Sequence, residues 1–164
     1  MTFSPRVGQY GTLKTKTFSA FFIQLGTECK DDHALLYAGI INGVEMVLES
    51  IPSRGVCLTP LSHYDGIDIA WNRHEDFTDE EGIAIIAFGM THLHDHYSYR
   101  AIILNGFRIL HITDERFLSD WMKNGDDYIC SEFVVICYRS IGRMTEGYAW
   151  LWTPATLTYR TLYQ

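Results

Sequence analysis

Residues 127–142 read Asp-Tyr-Ile-Cys-Ser-Glu-Phe-Val-Val-Ile-Cys-Tyr-Arg-Ser-Ile-Gly, in which a cysteine opens an almost wholly apolar run. The valines and isoleucines of this run would suit a buried strand as well as a helix. Its length favours a helix, because aspartate precedes it, glycine follows it and it is too long for an ordinary strand. The helix would carry an apolar stripe with Cys130 in its first turn and Cys137 two turns further on.

A cysteine in the first turn of a helix has a specific chemical meaning. The helix macrodipole favours an anion at that end, and the thiolate is the reactive form of cysteine. Cys130 is therefore a candidate nucleophile, whereas Cys137 would belong to the core. Position alone leaves a second interpretation open, in which Cys130 is one more buried small hydrophobic residue.

The composition is that of an ordinary globular chain, and its 164 residues suffice for one domain with a real core. A formal net charge of −7 and the lack of any lysine or arginine cluster argue against a nucleic-acid partner. No apolar segment is long enough to span a membrane. The run at residues 18–25 is too short and too polar for a signal sequence, so we expect a cytoplasmic protein.

The cysteines also bear on the cellular compartment. The chain has four of them: Cys29, Cys57, Cys130 and Cys137. Their spacing matches neither a C-x-x-C pair nor a zinc finger, which in a chain of this size predicts reduced thiols rather than a disulfide framework.

Two apolar runs, residues 33–41 and 44–50, are joined by Asn42-Gly43. This arrangement is the strongest short-range signal for a β-hairpin. His33 would open the first strand and Glu49 would close the second, and a bulge or a stagger of a few residues would bring them level. A carboxylate beside an imidazole can hold it in its working tautomer. The hairpin therefore predicts that His33 and Glu49 form a pair.

The remaining segments complete a single domain over residues 1–164. Residues 1–17 are rich in glycine, threonine and lysine and are predicted to be an extended or loose N-terminal segment. Residues 52–65 are predicted to be a loop and residues 67–71 a strand. A helix is predicted to begin at Asp79, where three consecutive carboxylates suit the positive end of the dipole.

Residues 91–96, Thr-His-Leu-His-Asp-His, hold three imidazoles and one carboxylate. The run resembles the zinc motif His-x-His-x-Asp-His of metallo-β-lactamase-fold hydrolases but is one residue short of it. Because imidazoles at this spacing can converge on zinc, metal binding by His92, His94 and His96 stays open as an alternative. The preferred interpretation is a solvated helix end, where histidines interact favourably with the dipole, and no metal site is predicted.

Several short blocks occur in an order that resembles one family. They are His33-Ala-Leu-Leu-Tyr-Ala-Gly39, Val47-Leu-Glu-Ser50, Gly55-Val56, Tyr97-Ser-Tyr99, Cys130-Ser-Glu-Phe-Val134 and Thr153-Pro-Ala-Thr-Leu157. Across residues 18–158 these blocks resemble the circularly permuted papain-fold hydrolases of the NlpC type, in the YiiX/YebB-like branch. The most specific block is the one at Cys130, where Phe133 stands in place of the family's leucine.

This resemblance implies an α+β fold, permuted papain-like, with an antiparallel sheet packed against the nucleophile-bearing helix. It implies that Cys130 is the nucleophile, that His33 is the base that becomes an acid, and that Glu49 orients His33. Three tyrosines would line the substrate cleft: Tyr37, Tyr97 and Tyr128.

The implied activity is that of a papain-like cysteine peptidase or amidase, which hydrolyses amide or ester bonds through an acyl-enzyme and needs no cofactor. Its substrate would be a small molecule, a peptide or a lipid acyl group. Acyl transfer on the same fold and a catalytically idle binding module remain open as alternatives.

Overall fold

The computed structural model describes residues 4–15, 32–73, 76–97, 128–149 and 152–163. Over these residues the chain is α+β, as predicted, with a five-stranded antiparallel sheet and three α-helices. The strands are β1 (Tyr10–Leu13), β2 (His33–Ile41), β3 (Val44–Ile51), β4 (Gly55–Pro60) and β5 (Ile69–Trp71), in the spatial order β4-β3-β2-β1-β5. The helices are α1 (Asp79–Met90), α2 (Cys130–Arg139) and α3 (Pro154–Tyr163), and a 3-10 helix spans Leu61–Tyr64.

The predicted hairpin is present as β2 and β3. Its two turn residues, Asn42 and Gly43, have φ values of 52° and 80°. Positive φ at both positions is what a two-residue hairpin turn with the native strand twist requires, and asparagine and glycine tolerate it best. The local sequence therefore determines where the chain reverses.

One β-bulge interrupts this hairpin. Gly39 pairs with Met46, but the next pair towards the start of β2 is Tyr37 with Val47, so Ala38 is an extra residue in β2. Gly39 has a φ of 87°, a conformation that glycine adopts without steric cost. Because side chains alternate between the two faces of a strand, the extra residue changes which side chains of β2 and β3 share a face.

The two faces of the sheet carry separate apolar cores. The larger core lies between the sheet and the helices and includes Leu36, Leu48 and Phe133. The smaller core contains Leu35 and Val47, the strand neighbours of Leu36 and Leu48. Since successive residues of a strand point to opposite faces, the smaller core lies on the face away from the helices.

Residues 10–13 form β1, which lies between β2 and β5 and is buried along its whole length. Of the two predicted alternatives for residues 1–17, extended or loose, these four residues are extended, and the loose alternative is wrong for them. Their sequence, Tyr-Gly-Thr-Leu, lacks apolar alternation, so no local pattern marks the strand. Gly11 allows close packing of the neighbouring strand, because a Cβ there would lie 2.6 Å from Cγ2 of Ile69.

Residues 55–60 form β4, so the loop predicted over residues 52–65 is also wrong in part. β4 pairs with β3 from Gly55 to Pro60 and forms one edge of the sheet. An edge strand tolerates proline, which lacks an N–H to donate. Gly55 packs so tightly on the backbone that a Cβ would lie 1.9 Å from the carbonyl oxygen of Asp95. Because turn-forming residues lie at both ends of this short strand, the sequence pattern indicated a loop.

The helix α1 begins at Asp79, as predicted, and has a complete capping box. The Thr78 hydroxyl accepts a hydrogen bond from the Glu81 N–H, and the Glu81 carboxylate accepts one from the Thr78 N–H. The strand predicted over residues 67–71 is present as β5. Among the residues that the structure describes, no helix has the length and apolar character needed to cross a membrane.

The apolar run that Cys130 opens forms α2, and Cys130 is its first residue, as predicted. The helix ends at Arg139, a little earlier than the glycine at position 142 suggested. Eight of its ten residues are buried, because it contacts β2 and β3 on one side and α1 on another. The buried Ser131 hydroxyl donates to the Trp152 carbonyl oxygen at 2.7 Å, which ties the start of α2 to the segment before α3.

Candidate active site

The bulge at Ala38 puts His33 and Glu49 on the same face of the sheet. Continuing the observed pairing of β2 with β3 sets Glu49 opposite Leu35. Residues two apart on a strand share a face, so the Glu49 side chain lies on the face of His33. Without the extra residue, Glu49 would pair with Leu36 and point to the face that the helices cover.

His33 and Glu49 form a buried pair in the structure. Nε2 of His33 lies 2.6 Å from Oε2 of Glu49. Both side chains are only 1% exposed. Removing two charges from water is costly, so such a pair is held only when its geometry is good and further hydrogen bonds support it.

Cys130 approaches the same imidazole from the start of α2. Its side chain is buried and close enough to His33 to help raise the pKa of that ring. Nε2 of His33 is held by Glu49. The structure therefore brings a thiol, an imidazole and a carboxylate together in one buried cluster.

The surroundings of the imidazole favour its charged form. Burial has the largest single influence and lowers the pKa of His33, but hydrogen bonds and charges of Cys130 and Glu49 outweigh it and raise this pKa to about 10. Burial also works against the charge of Glu49. Hydrogen bonds from His33, Thr59 and Tyr64 overcome that effect and leave the pKa of Glu49 below its usual range.

Sequence reasoning missed four residues near this pair: Cys57, Thr59 and Tyr64, which interact with Glu49, and Arg54, which contacts Thr59. The Tyr64 hydroxyl donates to Oε2 of Glu49 at 2.5 Å. Cys57 lies directly opposite Glu49 on β4, and the Arg54 guanidinium donates to the Thr59 hydroxyl at 2.9 Å. All four lie within residues 52–65, which the sequence predicts to be a loop. They could have been found only by recognising that residues 55–60 pair with β3 as a strand.

The three described cysteines are free thiols, as predicted, and lie in different surroundings. Cys137 is buried in the larger core, and burial raises the pKa of its thiol. Burial and the negative charge of Glu49 raise the pKa of the Cys57 thiol. Among these three, Cys130 is the cysteine that the structure brings to an imidazole. Cys29 and the apolar run at residues 18–25 lie outside the described residues.

The start of α2 offers backbone donors next to the Cys130 thiol. Ile129 occupies the N-cap position and has no side-chain group that could bind the N–H groups of the first turn. The Glu132 carboxyl instead turns back to accept the backbone N–H of Ile129. Backbone N–H groups at a helix start, together with the dipole, suit a developing oxyanion.

Two of the three tyrosines predicted for a substrate cleft lie close to the start of α2. Tyr97 and Tyr128 form an isolated parallel bridge, and Tyr128 is two residues before Cys130. The carbonyl oxygen of Tyr128 accepts a hydrogen bond of 2.7 Å from the Ser50 hydroxyl, next to Glu49 on β3. This bond holds the backbone that leads into Cys130.

The third tyrosine, Tyr37, is separated from the other two. It lies four residues beyond His33 on β2, which is roughly 13 Å along an extended strand. Its ring packs edge-on against Trp71, and its hydroxyl donates to the Glu45 carboxylate at 2.8 Å. Burial, with the hydrogen bond and charge of Glu45, raises the pKa of Tyr37 to about 12.

The histidine-rich residues 91–96 form a turn after α1, and backbone hydrogen bonds join it to the start of β4. Nδ1 of His92 lies 2.7 Å from Oδ2 of Asp95, and the His92 ring packs edge-on against Tyr128. Across the described ranges, no group of three His, Cys, Asp or Glu side chains comes together that could hold a metal ion. The contacts of this turn support the residues that precede Cys130.

A comparison of the chain with protein-family models gives no match, and a comparison with curated proteins gives none either. The function is therefore inferred from the geometry of the site. Its members are a thiol, an imidazole and a carboxylate at the junction of a helix start and a sheet.

Proposed function

We propose that the protein is a cysteine-dependent hydrolase of amide or ester bonds that works through an acyl-enzyme. The observation that carries this proposal is the cluster of Cys130, His33 and Glu49, in which one buried imidazole contacts a carboxylate and has a buried thiol close enough to raise its pKa. This set supplies the nucleophile, the proton shuttle and the orienting group that acyl transfer needs. The chemistry calls for no cofactor.

We also infer that the fold is a circularly permuted papain-like fold of the NlpC type. The strand that bears His33 precedes the helix that bears Cys130 in the chain, and an antiparallel sheet packs against that helix. The sequence blocks that resemble the YiiX/YebB-like branch fall at the functional positions of these elements: a strand start at His33, the second hairpin strand at Glu49 and a helix start at Cys130.

In the acylation step, Sγ of Cys130 attacks the substrate carbonyl carbon as a thiolate while His33 holds the thiol proton. The carbonyl oxygen gains negative charge, and the N–H groups at the start of α2 are suited to bind it. Collapse of the tetrahedral intermediate breaks the C–N or C–O bond, and the imidazolium gives its proton to the departing amine or alcohol. Glu49 stabilises the imidazolium and keeps its ring in the working orientation.

In the deacylation step, water attacks the thioester on Cys130 while His33 takes one of its protons. The C–S bond of the new intermediate then breaks, which releases the carboxylic acid product and leaves the Cys130 thiolate beside the imidazolium. An alcohol or amine that enters in place of water would turn the same intermediate into acyl transfer. Hydrolysis and acyl transfer therefore differ in the acceptor and not in the roles of the three residues.

Trapping the acyl-enzyme tests the proposal. The protein is incubated with a panel of p-nitrophenyl esters and p-nitroanilides, and the labelled residue is identified by mass spectrometry of its peptides. We expect an adduct on Cys130, with turnover lost in Cys130→Ala. Cys137→Ala is the matched control, because Cys137 is a buried thiol of the same helix with no place in the proposed mechanism. This variant should keep both the adduct on Cys130 and the turnover.

Two outcomes would overturn the proposal. An adduct on Cys57 or Cys137, with full turnover in Cys130→Ala, would place the chemistry elsewhere. A folded protein that neither forms an adduct nor turns over any member of the panel would be the idle binding module.

A further inference from the structure

Tyr64 is a buried phenol outside the Cys130–His33–Glu49 triad that contacts the triad's carboxylate. It is the last residue of the 3-10 helix, and its hydroxyl lies 2.5 Å from Oε2 of Glu49. Its ring is nearly parallel to the His33 imidazole, with centroids 6.3 Å apart and an interplanar angle of 29°. Tyr64 therefore faces both members of the buried pair.

Two donors meet on one carboxylate oxygen. Oε2 of Glu49 accepts from Nε2 of His33 at 2.6 Å and from the Tyr64 hydroxyl at 2.5 Å. The two bonds arrive from different elements, a strand and a 3-10 helix, so together they fix the rotation of the carboxylate. A carboxylate that accepts a second hydrogen bond is also a weaker base. The proton of the buried pair therefore stays on the imidazole, which must later deliver it to the leaving group.

We propose that Tyr64 is a positioning residue of the triad, which holds the Glu49 carboxylate in the orientation and the charge state that His33 requires. This inference rests on the proposed cysteine-hydrolase function. The inference adds one residue to the proposed mechanism, and this residue sets the lower limit of the pH range in which the site works.

The chemistry of the phenol suits this role. Burial and the negative charge of Glu49 raise the pKa of Tyr64, so its hydroxyl stays protonated and remains a donor at any working pH. A hydroxyl with one proton to share can stabilise a carboxylate without supplying a charge of its own. The rigid packing of Tyr64 in the smaller core, among Leu35 and Val47, keeps this donor in place.

Several other groups face Glu49 and share in its electrostatic surroundings. Within the described residues they are His33 from β2, Cys57 and Thr59 from β4, Tyr64 from the 3-10 helix and, through the imidazole, Cys130 from α2, while the charge of Arg54 acts on the adjacent Cys57. Replacing Tyr64 by phenylalanine removes one neutral hydroxyl and leaves every charge in this set unchanged. The variant therefore isolates the second hydrogen bond to Oε2.

The experiment compares the pH dependence of turnover in the parent protein, Tyr64→Phe and Tyr138→Phe. A hydrogen bond to a charged group is worth enough for its loss to lower kcat roughly 10- to 100-fold. The same loss should move the acid limb of the kcat profile up by roughly 1–2 pH units, because Glu49 then takes up a proton more readily. KM should change little, since Tyr64 acts through Glu49 and not on the substrate.

Tyr138→Phe is the matched control. The Tyr138 hydroxyl is also buried and donates to the carbonyl oxygen of Gly8 at 3.0 Å, so its removal also costs a buried hydrogen bond, one that does not involve Glu49. This variant should lose stability in the same way, as measured by thermal melting, and should keep the acid limb of the parent. A purely structural role of Tyr64 would make the two variants alike.

A parent-like acid limb and a kcat within twofold of the parent in Tyr64→Phe would overturn the inference. The hydrolase proposal would still stand if Cys130 forms the acyl adduct. If Cys130 forms none, the hydrolase proposal fails, and the NMR signals of the His33 ring in ¹⁵N-histidine-labelled protein test Tyr64 without turnover. Their acid-side inflection should move to higher pH in Tyr64→Phe and not in Tyr138→Phe; an unmoved inflection refutes the positioning role.

Discussion

Replacing Glu132 by glutamine should stabilise the protein at alkaline pH and leave its stability unchanged in acid. Glu132 is 8% exposed, in the first turn of α2, and within the described part of the chain its Oε2 meets no hydrogen-bond partner. Burial raises the pKa of this carboxyl from 4.5 to about 7, although the backbone N–H of Ile129 and the charge of Arg139 both work in the opposite direction. Glutamine keeps the shape of the side chain and can still accept the Ile129 N–H.

The magnitude follows from proton linkage. Below pH 4.5 the carboxyl is neutral in both the folded and the unfolded chain, so Glu132 imposes no charge penalty. Between pH 4.5 and about 7 the unfolded chain has lost the proton while the folded chain retains it, so stability falls as pH rises. One pH unit corresponds to about 1.4 kcal/mol. The free energy of unfolding should therefore drop by about 3 kcal/mol across this range, a penalty that glutamine removes.

The assay is urea unfolding of the parent and Glu132→Gln at pH 4.5 and pH 8.5, followed by tryptophan fluorescence. The stability difference between the two proteins should be near zero at pH 4.5 and about 3 kcal/mol in favour of glutamine at pH 8.5. The raised pKa of His33 adds stability that is complete below pH 6.5 and lost as pH rises through about 10, but both proteins share it and it cancels in the difference.

Glu146→Gln serves as the control, because the Glu146 side chain is exposed and its ion pair with Arg160, at 4.0 Å, lies at the surface. Its effect should stay within about 1 kcal/mol at both pH values. A difference for Glu132→Gln that does not change between pH 4.5 and 8.5 would refute the reasoning, since it would mean that the folded protein does not hold this carboxyl in its neutral form.

Two further predictions concern the bulge and the histidine-rich turn. Gly39→Ala should lower the free energy of unfolding by about 1–2 kcal/mol, because a side chain at φ 87° is strained. It should also reduce turnover, since the bulge determines the face on which Glu49 lies. Parent-like values in both urea unfolding and kcat would contradict this prediction. Exhaustive treatment with EDTA should leave turnover unchanged, because His92 pairs with Asp95; turnover lost on chelation and restored by zinc would instead support a metal site.

The elements that the sequence predicted correctly are those whose signals are local. The turn at Asn42-Gly43 depends on the φ values of two residues, and the start of α1 is marked by three consecutive carboxylates, residues 79–81, which lie in its first turn. Cys130 at the start of α2 follows in the same way from the apolar run behind it. Helices and tight turns satisfy their hydrogen bonds within a few positions of the chain, so a short stretch is enough to recognise them.

The sequence by itself thus determined the hairpin, two of the helices and a thiol at a helix start, and it indicated that His33 and Glu49 should meet. Only the tertiary structure decided that β1 and β4 are strands, that Ala38 forms a bulge and that Tyr64 reaches the Glu49 carboxylate. A strand exists through partners elsewhere in the chain, and one extra residue moves every later side chain to the other face. A buried carboxylate is likewise charged or neutral according to the donors that distant segments bring to it, as the contrast between Glu49 and Glu132 illustrates.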